Sequence, residues 1–272
     1  MASFLEASGE VKGYSSITVF ADYDCDGVTS AALLKLALGE LGADVNVYIP
    51  HRDEGYGLSL PTLERCLHIY PHTRLLVTVD CGVRSAEEVQ WLQARGIEVI
   101  VTDHHELDEN PPPCLVVNHH LPATPEAARG LCGAGVAFKL LNALLRLRKE
   151  QEQTLFGLKN YLWLVAIATV GDSVPLRGEN RLIVHTGLEQ LNQTVSQHPG
   201  LQELLKQIRH TKGRLQVTDI AYGIAPHLNA AGRIEDPRRA YKLLICTTAE
   251  DALLLVGELV SQNARRKQEE ER

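Results

Sequence analysis

Three carboxylates at alternate positions, Asp22, Asp24 and Asp26, follow an apolar run at residues 17–20, and the pattern recurs along the chain. Asp80 follows residues 75–79, Asp103-His104-His105 follows 97–102, and Asp172 follows 164–170. Carboxylates gathered in one place repel one another, so a fold that assembles them with two imidazoles needs compensating positive charge. Divalent cations supply it most economically. A dinuclear metal site that hydrolyses a phosphate ester is the chemistry these residue types point to. Each segment also has a plainer reading. Asp22 to Asp26 could be an acidic turn with an Asx cap. Asp80 could cap a turn, and Asp103-His104-His105 could be a polar strand exit. Asp172 stands at the end of a helix that disfavours an anion, and could pair with Arg177 or Arg181. Period-two spacing would point Asp22, Asp24 and Asp26 to one side of an extended segment, with Gly27 turning the chain afterwards. Two metals about 3.5–4 Å apart share a bridging carboxylate, and Asp80 is the candidate. Imidazole ligands suit Mn²⁺ and other transition metals better than Mg²⁺.

The elements that must position these groups are legible as an alternation. Residues 17–20, 45–49, 75–79, 99–102 and 115–117 read as strands. Helices are expected at 31–41, capped by Thr29 or Ser30, at 61–69, and at 85–95, with Ser85 and Glu88 as a capping box. Such alternation predicts an α/β fold: a parallel, doubly wound, five-stranded sheet with flanking helices. In that fold ligands bind beyond the carboxyl ends of the strands, where Asp22, Asp80 and Asp103 all stand. The second half is mainly helical, with helices expected at 136–148, 155–170, 182–191 and 201–208. A long charged linker helix at 249–271 closes the chain.

Other segments are weaker signals. Gly133-Ala134-Gly135 leaves backbone N–H groups open to an anion, or simply permits close helix packing. His119-His120 reads as a loop without a role. Residues 226–233 read as a small-residue turn from which Arg233 could grip a phosphate in bidentate fashion, or as a helix connection with a surface arginine. The 272 residues carry a net charge of −7, which excludes a protein whose whole surface is a nucleic-acid footprint. Six cysteines without a Cys-x-x-Cys pair exclude zinc-ribbon and thioredoxin readings and suit a reducing compartment. Residues 1–16 lack a signal-peptide core and no uncharged apolar stretch reaches membrane-spanning length, so a soluble, cytoplasmic protein is expected.

Together, in this order, the motifs resemble the DHH phosphoesterase superfamily, and within it the RecJ-type single-strand-specific exonucleases. The resemblance is carried by residues 22–30, by Arg52 with residues 54–58, by Asp103-His104-His105, by residues 133–140, by 168–176 with 179–181, and by 228–233. It implies two Mn²⁺ or Mg²⁺ ions. Asp24 and Asp80 would hold one, and Asp26, Asp80, His104 and Asp172 the other, with Asp80 bridging. Asp22 would lie at the margin and Asp103 behind the ligands, orienting an imidazole. His105 and Arg233 would contact the scissile phosphate, with Asn229 nearby. The implied activity is 5′→3′ degradation of single-stranded DNA. Phe20 stands where many members have a histidine ligand, and His227 where an arginine is common. Residues 1–190 are expected to form the catalytic domain and 191–272 a helical extension. The DHHA1 and OB domains of RecJ proteins are expected to be absent, so that a separate chain or missing domain would complete the substrate channel. Other readings are a DHH phosphodiesterase for short oligonucleotides or cyclic dinucleotides, a pyrophosphatase, or a non-catalytic scaffold.

Overall fold

A computed structural model describes residues 16–149, 157–208 and 213–271. The first segment builds the expected sheet from β1 (Ile17–Ala21), β2 (Val45–Tyr48), β3 (Leu75–Val79), β4 (Glu98–Thr102) and β5 (Leu115–Val117). All pairings are parallel and the order is β2-β1-β3-β4-β5. The chain therefore winds outward in both directions from the β1–β3 pair, and the topological switch point lies between those strands. The register sets Ala21 beside Val79 and Val79 beside Thr102. Asp22, Asp80 and Asp103, one residue further on, thus leave the sheet side by side.

Alternation along the strands divides the core into two layers. Ile17, Val19 and Ala21, with Leu75, Val77 and Val79, face α1 (Cys25–Glu40) and the later helices. Phe20, Leu76, Val99 and Val101 face α2 (Leu60–Ile69) and α3 (Ala86–Gln93), which bury Leu63, Cys66, Val89 and Leu92. Helix α1 is apolar almost all round because it is covered on both sides. It packs on β1 and under α4 (Gly133–Lys149), α5 (Leu162–Gly171) and α9 (Arg238–Ile245). Helix α6 (Gly178–Thr194) lies against α5, and α10 (Ala249–Glu270) covers α7 (Pro199–Gln207) and α8 (Ala225–Ile234). Among the described residues no helix is long and apolar enough to cross a membrane.

Several expectations need correction. Helix α1 begins at Cys25 rather than after Thr29 or Ser30, because Asp24 takes the N-cap and accepts a hydrogen bond from Gly27 N at 3.0 Å. Asp24 is extended but Asp26 already lies in the first helical turn, so the period-two picture of Asp22, Asp24 and Asp26 fails. Ser85 precedes α3 but makes no side-chain cap, so the capping box is not formed. The expected turn at 226–233 is helix α8, entered through a π-helical turn at Ile220–Ile224. Pro226 falls at the start of α8, directly after the widened π-helical turn in which Ala225 N–H reaches Ile220 O. The expected helix at 155–170 is a short 3₁₀ turn, Leu158–Tyr161, followed by α5. Residues 155–156 of that expectation lie outside the described residues, as do residues 1–15 of the amino-terminal reading.

Trp163 is the largest fully buried side chain and joins α5 to the rest of the core. Trp163→Ala is expected to cost about 3–5 kcal/mol, the price of an aromatic-sized cavity. Urea unfolding measures it, and a loss below about 1 kcal/mol would show that α5 can collapse into the space.

Candidate metal centre

The sheet's carboxyl edge collects three overlapping groups of ligand-type atoms: Asp22, Asp24 and Asp80; Asp26, His104 and Asp172; and Asp80, His104 and His105. Within each group the atoms lie within 4.8 Å of one another. Asp22 continues β1, its N–H reaching Val79 O at 3.3 Å. Asp80 continues β3 with N–H to Thr102 O at 3.0 Å, and turns sharply at φ 62. That left-handed value is unusual for a side chain other than glycine or asparagine, and it swings the carboxylate inward.

Asp26 is held mainly by backbone amides, with a long bond from Ser30 Oγ at 3.5 Å. Its two oxygens accept from Gly133 N at 2.6 Å and Ala134 N at 2.8 Å, the first amides of α4. The anion expected at the Gly133-Ala134-Gly135 helix start is thus a side chain of this chain. A Cβ at Gly133 would stand 2.7 Å from Asp80 Oδ1, so only glycine lets α4 approach both carboxylates.

His104 lies at the centre. Its Nε2 is 3.2 Å from Asp80 Oδ1 and 3.8 Å from Asp26 Oδ2, and its Nδ1 is 3.9 Å from Asp172 Oδ2. The approach to Asp80 lacks hydrogen-bond alignment, so Asp80 Oδ1 is buried without a donor, as is Asp22 Oδ1. Oriented, unsatisfied carboxylate oxygens around a neutral imidazole are a donor set that fits a divalent cation. Asp172 caps the end of α5; the charged groups that act on it are Asp24 and His105, not Arg177 or Arg181.

Asp103 behaves differently. It accepts from His104 N (2.7 Å), His105 N (3.1 Å), His105 Nδ1 (2.7 Å) and Val83 N (3.0 Å). The imidazole it orients is therefore His105. Burial alone would raise the Asp103 carboxyl, but the His105 bond and the backbone donors outweigh it and hold it below the usual range. That same bond raises His105. The other acids move up. Burial, then Asp24 and Asp172, pushes Asp26 up to about 8 against the pull of its amide donors. Burial and then Asp24 push Asp22 to about 7 and Asp172 to about 6. Asp80 is raised well above the carboxylate range by burial and by Asp26, Asp24 and Asp22. Burial, then His105, takes His104 down to about 4.

The later residues fall differently from expectation. Asn229 Oδ1 accepts from Cys25 N at 2.8 Å, satisfying an amide in the first turn of α1. Gly232 lies so close to Tyr23 O that an added Cβ would stand 2.3 Å away, which seats α8 directly on the first acidic loop. Arg233 is half exposed and faces Glu270 Oε1 at 3.5 Å. His227 is not in an open groove. It is buried, with Nδ1 2.7 Å from Gly223 O and Nε2 3.1 Å from Asn263 Nδ2, which makes it a neutral bridge between α8 and α10. Phe20 stacks on Tyr48 in the core, its ring 5.4 Å away.

Two neighbours were not among the predicted site residues, although Tyr56 lies in a segment that carries the resemblance. The Tyr56 hydroxyl lies 3.2 Å from His105 Nδ1 and donates to Asp80 O at 3.3 Å. His119, expected to be a plain loop residue, is buried with its ring 6.3 Å from that of His104. Asn118 Nδ2 bonds His105 O at 2.8 Å and draws this distant loop against the site.

An open parallel sheet with carboxylates and histidines at its switch point defines the class of protein. The model of the DHH family, N-terminal domain, matches residues 16–169, and the chain belongs to that family. Over 94% of its length it is 41% identical to the single-stranded-DNA-specific exonuclease RecJ of Thermus thermophilus, covering 36% of that protein. The RecJ of Escherichia coli is 35% identical over 94% of this chain and 45% of its own length. A crystal structure of exonuclease RecJ bound to manganese superposes with a TM-score of 0.85 at 39% identity, covering 99% of this chain and 66% of that one. The chain thus spans less than half the length of these two curated relatives.

Two outcomes follow from this geometry. A carboxyl raised in the fold stabilises while protonated, and that contribution is lost as pH rises through the folded value. The depressed His104 acts oppositely, but its contribution is complete above its unfolded value of 6.5. Without divalent cations Tm should therefore fall from pH 6.5 to about 8.5 as Asp22 and Asp26 ionise; a flat or rising Tm in EDTA contradicts the clustering. Asn229→Ala leaves the Cys25 amide without its acceptor and is expected to cost about 1–3 kcal/mol in chemical denaturation.

Proposed function

We propose that the chain is a metal-dependent phosphoesterase of RecJ type, removing nucleotides from the 5′ end of single-stranded DNA with two Mn²⁺ or Mg²⁺ ions. The observation that carries the reading is the position of Asp80: it groups with Asp22 and Asp24, and its unsatisfied Oδ1 lies 3.2 Å from Nε2 of His104, which groups with Asp26 and Asp172. Asp24 and Asp80, with Asp22 at the margin, would hold one cation; Asp26, Asp80, His104 and Asp172 would hold the other. Such ions, when bound, neutralise the carboxylates, activate water at neutral pH and stabilise charge on the phosphate oxygens. Asp26 cannot turn away, because two α4 amides grip it. Asp103 holds Nδ1 of His105 and leaves the outer edge of the ring to meet a phosphate oxygen. Its raised affinity for a proton suits an anionic substrate. Arg233 would reach a flanking phosphate by exchanging Glu270 for it. On this reading residues 1–190 are the catalytic unit, and the extension from 191 clamps the first acidic loop through Asn229. Six free cysteines suit the reducing cytoplasm.

The test is hydrolysis of a 5′-phosphorylated, 3′-labelled single strand with Mn²⁺, beside calorimetric Mn²⁺ binding. Asp80→Asn is the decisive variant, since asparagine tolerates the left-handed backbone and removes only the charge. A loss of about 100-fold or more in rate is expected, with weakened Mn²⁺ binding. Wild-type activity in that variant would refute the bridging role.

A further inference from the structure

Helix α3 opens with the pattern of a capping box, Ser85 and then Glu88, yet neither half of the box forms. Ser85 sits at φ −105, ψ 51, away from the extended conformation that aims a cap hydroxyl at the helix amides. Among the described residues neither Ser85 Oγ nor the Glu88 carboxylate has a hydrogen-bond or ion-pair partner. Ser85 is nevertheless only 7% exposed. Its hydroxyl has no cap partner within the protein. It is not among the fully enclosed unpaired atoms, so it opens onto the space it lines.

That space is a cavity of about 260 Å³ beside His105, lined by both Ser85 and Glu88. Leu58, Gly82 and Val83 add apolar lining, the rings of Tyr56 and His105 border it, and Arg84 and Asp103 complete its charged lining. Tyr56 is 54% exposed yet anchored through its hydroxyl, and it meets the His105 ring edge-on at 5.8 Å. The Tyr56 and His105 rings offer faces on which a planar ring system can pack. The Glu88 carboxylate, unpaired although Arg84 lines the same cavity, is free to accept N–H donors. The volume lies near the lower end of small-molecule sites, roughly 300 Å³, which leaves room for one heterocycle.

We propose that this cavity is a subsite for the base of the nucleotide whose phosphate lies at the metal centre, with guanine favoured through its paired N–H edge on Glu88. The identity of the occupant rests on the phosphoesterase reading above. Ser85 Oγ supplies a second hydrogen bond at the base edge. Thymine, with a single imino donor, satisfies the carboxylate less well.

The experiment is calorimetric titration of the protein with dGMP and with dTMP, each in Mn²⁺ and in EDTA. Wild type should bind dGMP at least about fivefold more tightly than dTMP. Glu88→Ala should bring dGMP to the dTMP level while leaving dTMP unchanged, and Ser85→Ala should narrow the difference. Glu88→Gln, which keeps the shape of α3, guards against a folding defect and should lose the preference too. Equal affinities in the wild type, no measurable dGMP binding, or a preference that survives Glu88→Gln would overturn the subsite. The ratio of the two affinities reads the cavity alone. A missing Mn²⁺ effect on both nucleotides would count against the metal reading and leave that ratio intact.

Discussion

Two backbone amides at the start of α4 hold the Asp26 carboxylate, and the rest of the site depends on that grip. A buried anion normally demands a cationic side chain. Here the positive end of a helix serves instead, and it adds no net charge to repel an incoming metal. The bond also ties the first turn of α1 to the second half of the chain. Gly133 makes the approach possible, since any side chain there would collide with Asp80.

The carboxylates divide by how many donors each receives. Asp103 collects four and is settled as an anion without outside help. Its work is mechanical: it fixes the His105 ring. Asp22, Asp26 and Asp80 are more deeply in conflict, because burial and one another's charge favour protonation. A fold that keeps them together gives up stability that bound cations return by mass action. The same geometry that makes the metal-free site costly gives it a donor set that suits a divalent cation.

The helices after α6 reach back to this edge. Helix α8 rests on the first acidic loop through Asn229 and Gly232, and is joined to α10 through the neutral His227–Asn263 bridge. Glu235 adds contacts to Gln262 and Arg265 on α10. The long charged helix is therefore seated firmly on its inner side, whatever its outer charges meet. The open cavity under Tyr56 lies on the opposite flank, where α3 leaves its own cap unmade.

Much of the fold was legible in the sequence because parallel strands buried on both faces are written as short β-branched runs. The acid closing each run is local information, so β1 to β5 and the positions of Asp22, Asp80 and Asp103 could be read directly. Asp24, Asp26, His104, His105 and Asp172 each had a plainer local reading, and their roles could be proposed only from the ordered set of motifs and the family resemblance it carries. Tertiary structure alone decided the rest. Asp26 entered a helix because Asp24 capped it and α4 amides met it from 107 residues away in sequence. The segment at 226–233 became helix because α8 has a loop and a neighbouring helix to pack against, which local propensity does not record. His227 turned inward for the same reason. His119 came near the site because β5 pairs with β4 just before it and Asn118 bonds His105 O. Such contacts join groups far apart in the chain, and no short pattern of residues encodes a distance in space.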